Sequence, residues 1–151
     1  MDFLTKDIIY QKSSQEITSL LYEALIDSTQ KAIQDIKERR FIDANVKLKK
    51  VNDILERLGV GLNYEAGIMA DQLDALYNYM ADLVIKANMK KDIEPLKEVL
   101  SITEDIAEAW QTAMKNNKSG QVQQQLLRKA NAYEKNVMVY EKETSSVEEG
   151  K

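Results

Sequence analysis

Histidine and cysteine are both absent from the 151 residues, and that decides most of the available chemistry. Thiolate nucleophiles, imidazole acid–base catalysis, the usual zinc sites and the Glu-x-x-His motif of di-iron bundles each need one or the other. Proton transfer would fall to Asp, Glu, Lys or Tyr, and these are spread along solvent-facing helical positions. Gly59-Val60-Gly61 follows a helical pattern instead of a strand. It lacks the further glycine, lysine and Ser/Thr of a phosphate-binding loop, so it reads as a turn. The basic pairs Arg39-Arg40, Lys49-Lys50 and Lys90-Lys91 fall at helix ends or on polar faces, where cations are solvated or complement the helix dipole. Trp110 and the seven tyrosines sit at core and rim positions of helices, not on a platform for stacking bases. The expectation is a protein that is not an enzyme, with no catalytic residue, no metal and no cofactor.

A net charge of −4 argues against nucleic acid or an anionic membrane as partner. No run approaches the ~18 apolar residues of a membrane span, so no membrane insertion is expected. The start MDFLTKD has no secretory apolar region, and the expected compartment is the cytoplasm. One proline and five glycines leave few helix breakers. The class is therefore all-α, in one domain large enough to bury roughly two thirds of its unfolded surface.

The clearest element is a helical hairpin from Leu73 to Trp110. Met69, Leu73, Tyr77, Met80, Val84 and Ala87 recur every three or four residues, which lines one face of a helix. Leu96, Val99, Thr103, Ile106, Trp110 and Ala113 do the same. The joint Lys90-Lys91-Asp92 between them is short enough to force an antiparallel return. Asp92 is the expected N-cap of the second segment, with Pro95 in its first turn, where a missing N–H costs nothing.

Upstream, residues 1–12 read as an arm, and Ser13-x-x-Glu16 has the form of a capping box opening helix 1. That helix is expected to run to about Arg39 and to bury Ile17, Leu21, Leu25, Ala32 and Ile36. Ser28 allows a neighbour's close approach, and Tyr22, Ile26 and Ile33 widen the face. Helix 2 is expected from Asp43, with Ala44, Leu48, Val51, Leu55 and Leu58 as its stripe and Gly59 as a left-handed stop. Asn63 is the expected cap of helix 3, which runs to Asn88, and helix 4 runs from Ile93 to about Lys115. This predicts an antiparallel up-down four-helix bundle over 13–117.

Residues 118–151 read as a C-terminal tail. Val122, Leu126, Ala130, Tyr133, Val137 and Tyr140 keep helical spacing, so the tail carries an extra amphipathic helix. A lone helix of ~20 residues is marginal in water unless its apolar face is covered. It must dock or stay partly unfolded.

Several apolar residues exceed what one stripe per helix needs: Val46 and Ile54, then Leu76, Tyr79 and Leu83, then Ile102. Two readings are open. Each helix touches two neighbours and needs a wide face, or the surplus forms a groove for another polypeptide.

The residues Leu76 to Met80 (LYNYM), Ala87-Asn88, Lys91-Asp92, Leu96, Glu98-Val99 and Trp110 together resemble the signature half of the FliS flagellar secretion chaperones. Tyr10, Glu16-Ile17 and Leu21-Tyr22 are similar to that family's N-terminal pattern, and Leu58 with Leu62-Asn63 to its helix 2–helix 3 corner. The resemblance spans roughly 8–115. It implies a cytosolic chaperone of flagellar type III export that binds the disordered C-terminal segment of flagellin. Such a chaperone prevents premature polymerisation and helps present its client to the export-gate protein. It also implies an N-terminal arm over the client groove, with Tyr10 as the arm's tyrosine.

The client-binding set expected from both arguments is Tyr10, Val46, Ile54, Leu76, Tyr79, Leu83 and Ile102, in a monomer or weak homo-oligomer. The chain departs from the family pattern at Ser14, where a proline is usual, at Asp82 and Leu83 in place of a basic pair, at Ala107 in place of arginine, and in its long tail. Those departures keep a second reading in view. It is a non-catalytic structural or regulatory bundle, either a diverged paralogue with another client or a homo-oligomer.

Overall fold

Periodic apolar stripes with few helix breakers produce helices throughout the computed structural model. It describes residues 2–65, 68–115 and 128–149, with side-chain surroundings for 16–61, 73–112, 115 and 128–142. Four long helices, α1 (Asp2–Lys37), α2 (Phe41–Glu65), α3 (Ile68–Lys90) and α4 (Glu94–Lys115), are followed by a helical stretch over 128–132 and by α5 (Glu134–Glu149). Among the described residues there is no strand.

Packing runs around a ring. α1 lies against α2 and α4, α3 against α2 and α4, and α5 against the outside of α3. Leu25, Leu48, Leu73, Leu76, Met80, Leu96, Ile102 and Ile106 fill the interior with essentially no exposure. The expected stripes of helices 2, 3 and 4 are the buried ones wherever side chains are described. Buried Thr29 and Thr103 donate their hydroxyls to the carbonyls of Leu25 and Val99 one turn back, both at 2.7 Å, so neither leaves a polar atom orphaned. Ser28 is buried.

The corners follow from capping chemistry. α1 closes with Arg40 N–H donating to the Asp35 carbonyl at 2.7 Å and Arg39 N–H to that of Ile36 at 3.1 Å. Arg39 takes the left-handed conformation, φ 61°, that such an ending requires. α3 ends alike, with Lys91 at φ 52° and Asp92 N–H bonded to the Ala87 carbonyl at 3.1 Å. Asp92 then accepts the Glu94 N–H at 3.1 Å, the N-cap its type and position predict.

Three expectations are corrected. Ser13-x-x-Glu16 does not open a helix, because α1 runs unbroken from Asp2, and with no glycine or proline in 2–37 nothing forces a break there. Ile17 faces outward instead of inward. Gly59 does not stop α2, which continues through Gly59, Gly61 and Asn63 to Glu65. A Cβ on Gly59 would lie 3.2 Å from a carboxylate oxygen of Asp74, so the glycine lets α3 come close. Residues 66–67, 116–127, 150 and 151 lie outside the described residues, and with them Val122 and Leu126 of the tail stripe.

Candidate functional site

Two helix seams present apolar side chains outside the bundle interior, one open and one covered. The open one joins α2 and α3. Asn88 of α3 donates its side-chain amide to the Asn45 carbonyl oxygen of α2 at 2.7 Å, which sets the register of this antiparallel pair. At the α1–α2 corner, the buried Asp35 carboxylate accepts from Lys47 and, at 3.0 Å, from Arg40. These two cations fix the start of α2. The bond from Lys47 foremost, with Arg40 in support, holds the Asp35 pKa below the ordinary carboxylate value against the opposing cost of burial.

In helical projection, Ile42 and Val46 on α2 and Ile85 and Met89 on α3 sit one turn apart in each helix and point away from the interior. Because the two helices run antiparallel about the Asn45–Asn88 contact, all four fall on the same side of the seam. Their exposures are 82%, 63%, 47% and 80%. Further along the seam a cleft of about 360 Å³ lies between Asn52, Gly59 and Val60 on α2 and Asp74, Tyr77 and Asn78 on α3. Exposed apolar side chains of this number, in line and next to a cleft, form the kind of surface another polypeptide covers.

The covered seam joins α3 and α4. Tyr79 donates its hydroxyl to Glu98 at 2.6 Å, and Asn136 of α5 donates to the same carboxylate at 3.3 Å. Tyr133 donates to Asp105, and the rings of Tyr79 and Tyr140 meet edge to face with centroids 5.5 Å apart. Lys86 Nζ stands 6.0 Å from the Tyr140 ring centre, within reach of a cation–π contact. Ala130 and Val137 are buried against this face. Burial, reinforced by the bond to Asp105, pushes the Tyr133 hydroxyl up to about 12. Burial and then Glu98 raise that of Tyr79 as well. Both stay neutral donors across the physiological range.

The expected binding residues separate into distinct surroundings. Val46 is open to solvent on the α2–α3 seam. Tyr79 is buried beneath Tyr140, and Leu83 is partly buried against the core. Ile54, Leu76 and Ile102 are buried in the folded chain, each at most 5% exposed, and Leu76 also lines the cleft beside α5. α2 packs on both α1 and α3, and α3 on α2, α4 and α5, so the extra apolar width of these helices serves a second or third neighbour. Tyr10 is helical in α1, but its side chain lies outside the described residues. Val46, on the α2–α3 seam, and Tyr79, bonded across to Glu98 of α4, do not line one groove. Ile42, Ile85 and Met89 escape a reading based on stripes because they sit near helix ends. Their one signal is the pairing of apolar residues four apart, off the buried face.

Among the described residues no cluster of acidic side chains is suited to a metal ion, and no helix is long and apolar enough to cross a membrane.

The family model described as Flagellar protein FliS matches residues 5–117, the four-helix part of the chain without α5. The chain is similar to the flagellar secretion chaperone FliS of Escherichia coli (strain K12), 26% identical over 108 residues that cover 70% of this chain and 79% of that protein. It is 29% identical over 103 residues to the protein of that name from Bacillus subtilis (strain 168), covering 68% and 77%. Against that of Salmonella typhimurium (strain LT2) it is 32% identical over 98 residues, covering 60% and 71%. With the stripes, corners and hairpin of the bundle all inside the matched range, this chain belongs to the FliS family of flagellar secretion chaperones.

Proposed function

We propose that this chain is a cytosolic export chaperone that binds the disordered C-terminal segment of flagellin, keeps it from polymerising early and assists its delivery to the flagellar export gate. Family membership supports the class of function. The observation that carries the binding surface is the exposed row of Ile42, Val46, Ile85 and Met89 beside the α2–α3 cleft. A client segment that folds as it docks there would bury about 1,000–3,000 Å² and give up about 2–5 kcal/mol to its own ordering. That combination gives affinity with release, as export demands. Binding of this kind uses apolar area and shape and needs no catalytic group.

Val46 and Tyr10 are both proposed contacts, Val46 within this exposed row and Tyr10 through α1. Tyr79 lies on the other seam, against Tyr140 of α5, and Leu83 is partly buried against the core. Size-exclusion chromatography with light scattering, run with and without flagellin, tests the reading. A 1:1 heterodimer is expected. A chain that forms the same homo-oligomer whether or not flagellin is present contradicts it and favours a structural bundle protein.

A further inference from the structure

The family match ends at residue 117, yet α5 sits on the matched bundle as a ligand sits on a receptor. The contact side of α5 and the helical stretch before it repeats Ala130, Tyr133, Val137 and Tyr140 at spacings of three, four and three. Among the described residues there, Ala130 and Val137 are buried, while Met138 and Val139 face solvent. An open cleft of about 190 Å³ remains between α5 and α3, at Ala75 and Leu76. The rest of the attachment is the edge-to-face contact of Tyr140 with Tyr79 and the polar bonds of Tyr133 to Asp105 and Asn136 to Glu98. Helices α1 to α4, by contrast, each place several large side chains at essentially zero exposure.

We infer that the α3–α4 seam is a helix-docking groove, that α5 is its resident occupant in the same chain, and that a separate amphipathic helix of the same chemistry displaces it. The groove selects that chemistry. Glu98 and Asp105 call for hydroxyl or amide donors one turn apart, and Leu76, Tyr79 and Ala75 call for a small or branched apolar residue between them. Lys86 favours an aromatic ring at the far end. A tethered occupant acts at an effective concentration of roughly millimolar, so it suppresses any competitor of weaker affinity without a further contact. The inference rests on the seating of α5 and not on the identity of the client.

The test uses the full chain and a fluorescent synthetic peptide of residues 128–149 added in trans. Anisotropy is read for the wild type, for Val137→Asp, which places a charge under α5, and for Tyr133→Phe, which keeps every apolar contact. Trp110 emission and far-ultraviolet helicity confirm that the bundle stays folded. Val137→Asp is expected to bind the wild-type peptide on the order of tenfold tighter than the wild-type chain does. Tyr133→Phe is expected to bind it about fivefold tighter, the worth of one hydrogen bond. A peptide that itself carries Val137→Asp is expected not to bind. Equal affinity of all three chains for the peptide, or no binding to any, overturns the inference. So does a wild-type chain that pairs through exchanged α5 helices, because the occupant is then a second copy.

Discussion

Tyr22 and Tyr77 meet hydroxyl to hydroxyl at 2.7 Å in the interior, with the Tyr22 ring edge-on to Trp110 at 6.1 Å. Burial pushes Tyr22 up to about 12 and raises Tyr77 well above the ordinary phenol value, so both stay neutral and each hydroxyl bonds to the other. Removing one should cost more than removing both. Tyr22→Phe is expected to destabilise by about 1–3 kcal/mol through the hydroxyl left behind on Tyr77, and the double Phe variant to recover part of that loss. A double-mutant cycle by urea unfolding measures it. Asp35 carries the pH dependence. Its folded pKa lies below the ordinary 3.8, so the unfolded chain binds more protons in acid and stability rises with pH through that window. The contribution is complete above the unfolded value and is lost as pH falls toward the folded one. Asp35→Asn should flatten the acid limb of a plot of thermal midpoint against pH and leave its neutral and alkaline parts parallel to the wild type.

Helix stripes were legible because each depends on residues three and four apart, and the same arithmetic builds the helix and its buried face. Leu48, Val51 and Leu55, or Leu96, Val99 and Ile106, could be placed from spacing alone, and all are buried. Ends were less legible. Asp92 caps α4 as its type and place demand, but Ser13 and Gly59 belong to types that suit an end and also survive inside a helix held by its neighbours. A glycine in mid-helix costs about 1 kcal/mol, which packing of α2 on α1 and α3 readily offsets. This yields a prediction that a left-handed stop would reverse. Gly61 has open space around the position of a Cβ, so Gly61→Ala should stabilise by about 1 kcal/mol in chemical denaturation. Gly59→Ala should change stability by less, since its gain is set against the Asp74 side chain. A loss of more than about 1 kcal/mol at either glycine would mean positive φ there.

The assembled bundle explains why the proposed binding surface was harder to read than the fold. Spacing reports how wide an apolar face is, and not whether a neighbouring helix or another polypeptide covers it. Ile54 and Val46 lie on one helix, eight residues apart, yet α3 and α1 enclose the first and leave the second open. The extra width on α3 was split between the core, at Leu76, and α5, at Tyr79. The α2–α3 row of Ile42, Val46, Ile85 and Met89 stays exposed. Titration calorimetry of the full chain with the C-terminal segment of flagellin tests that row directly, using wild type, Val46→Asp with Met89→Asp, and Ile54→Asp as a core control. A 1:1 isotherm is expected for the wild type. The surface pair should keep the wild-type thermal midpoint within a few degrees and bind at least tenfold more weakly, whereas Ile54→Asp should lose cooperative unfolding. Undiminished affinity in a folded Val46→Asp/Met89→Asp chain would contradict the account.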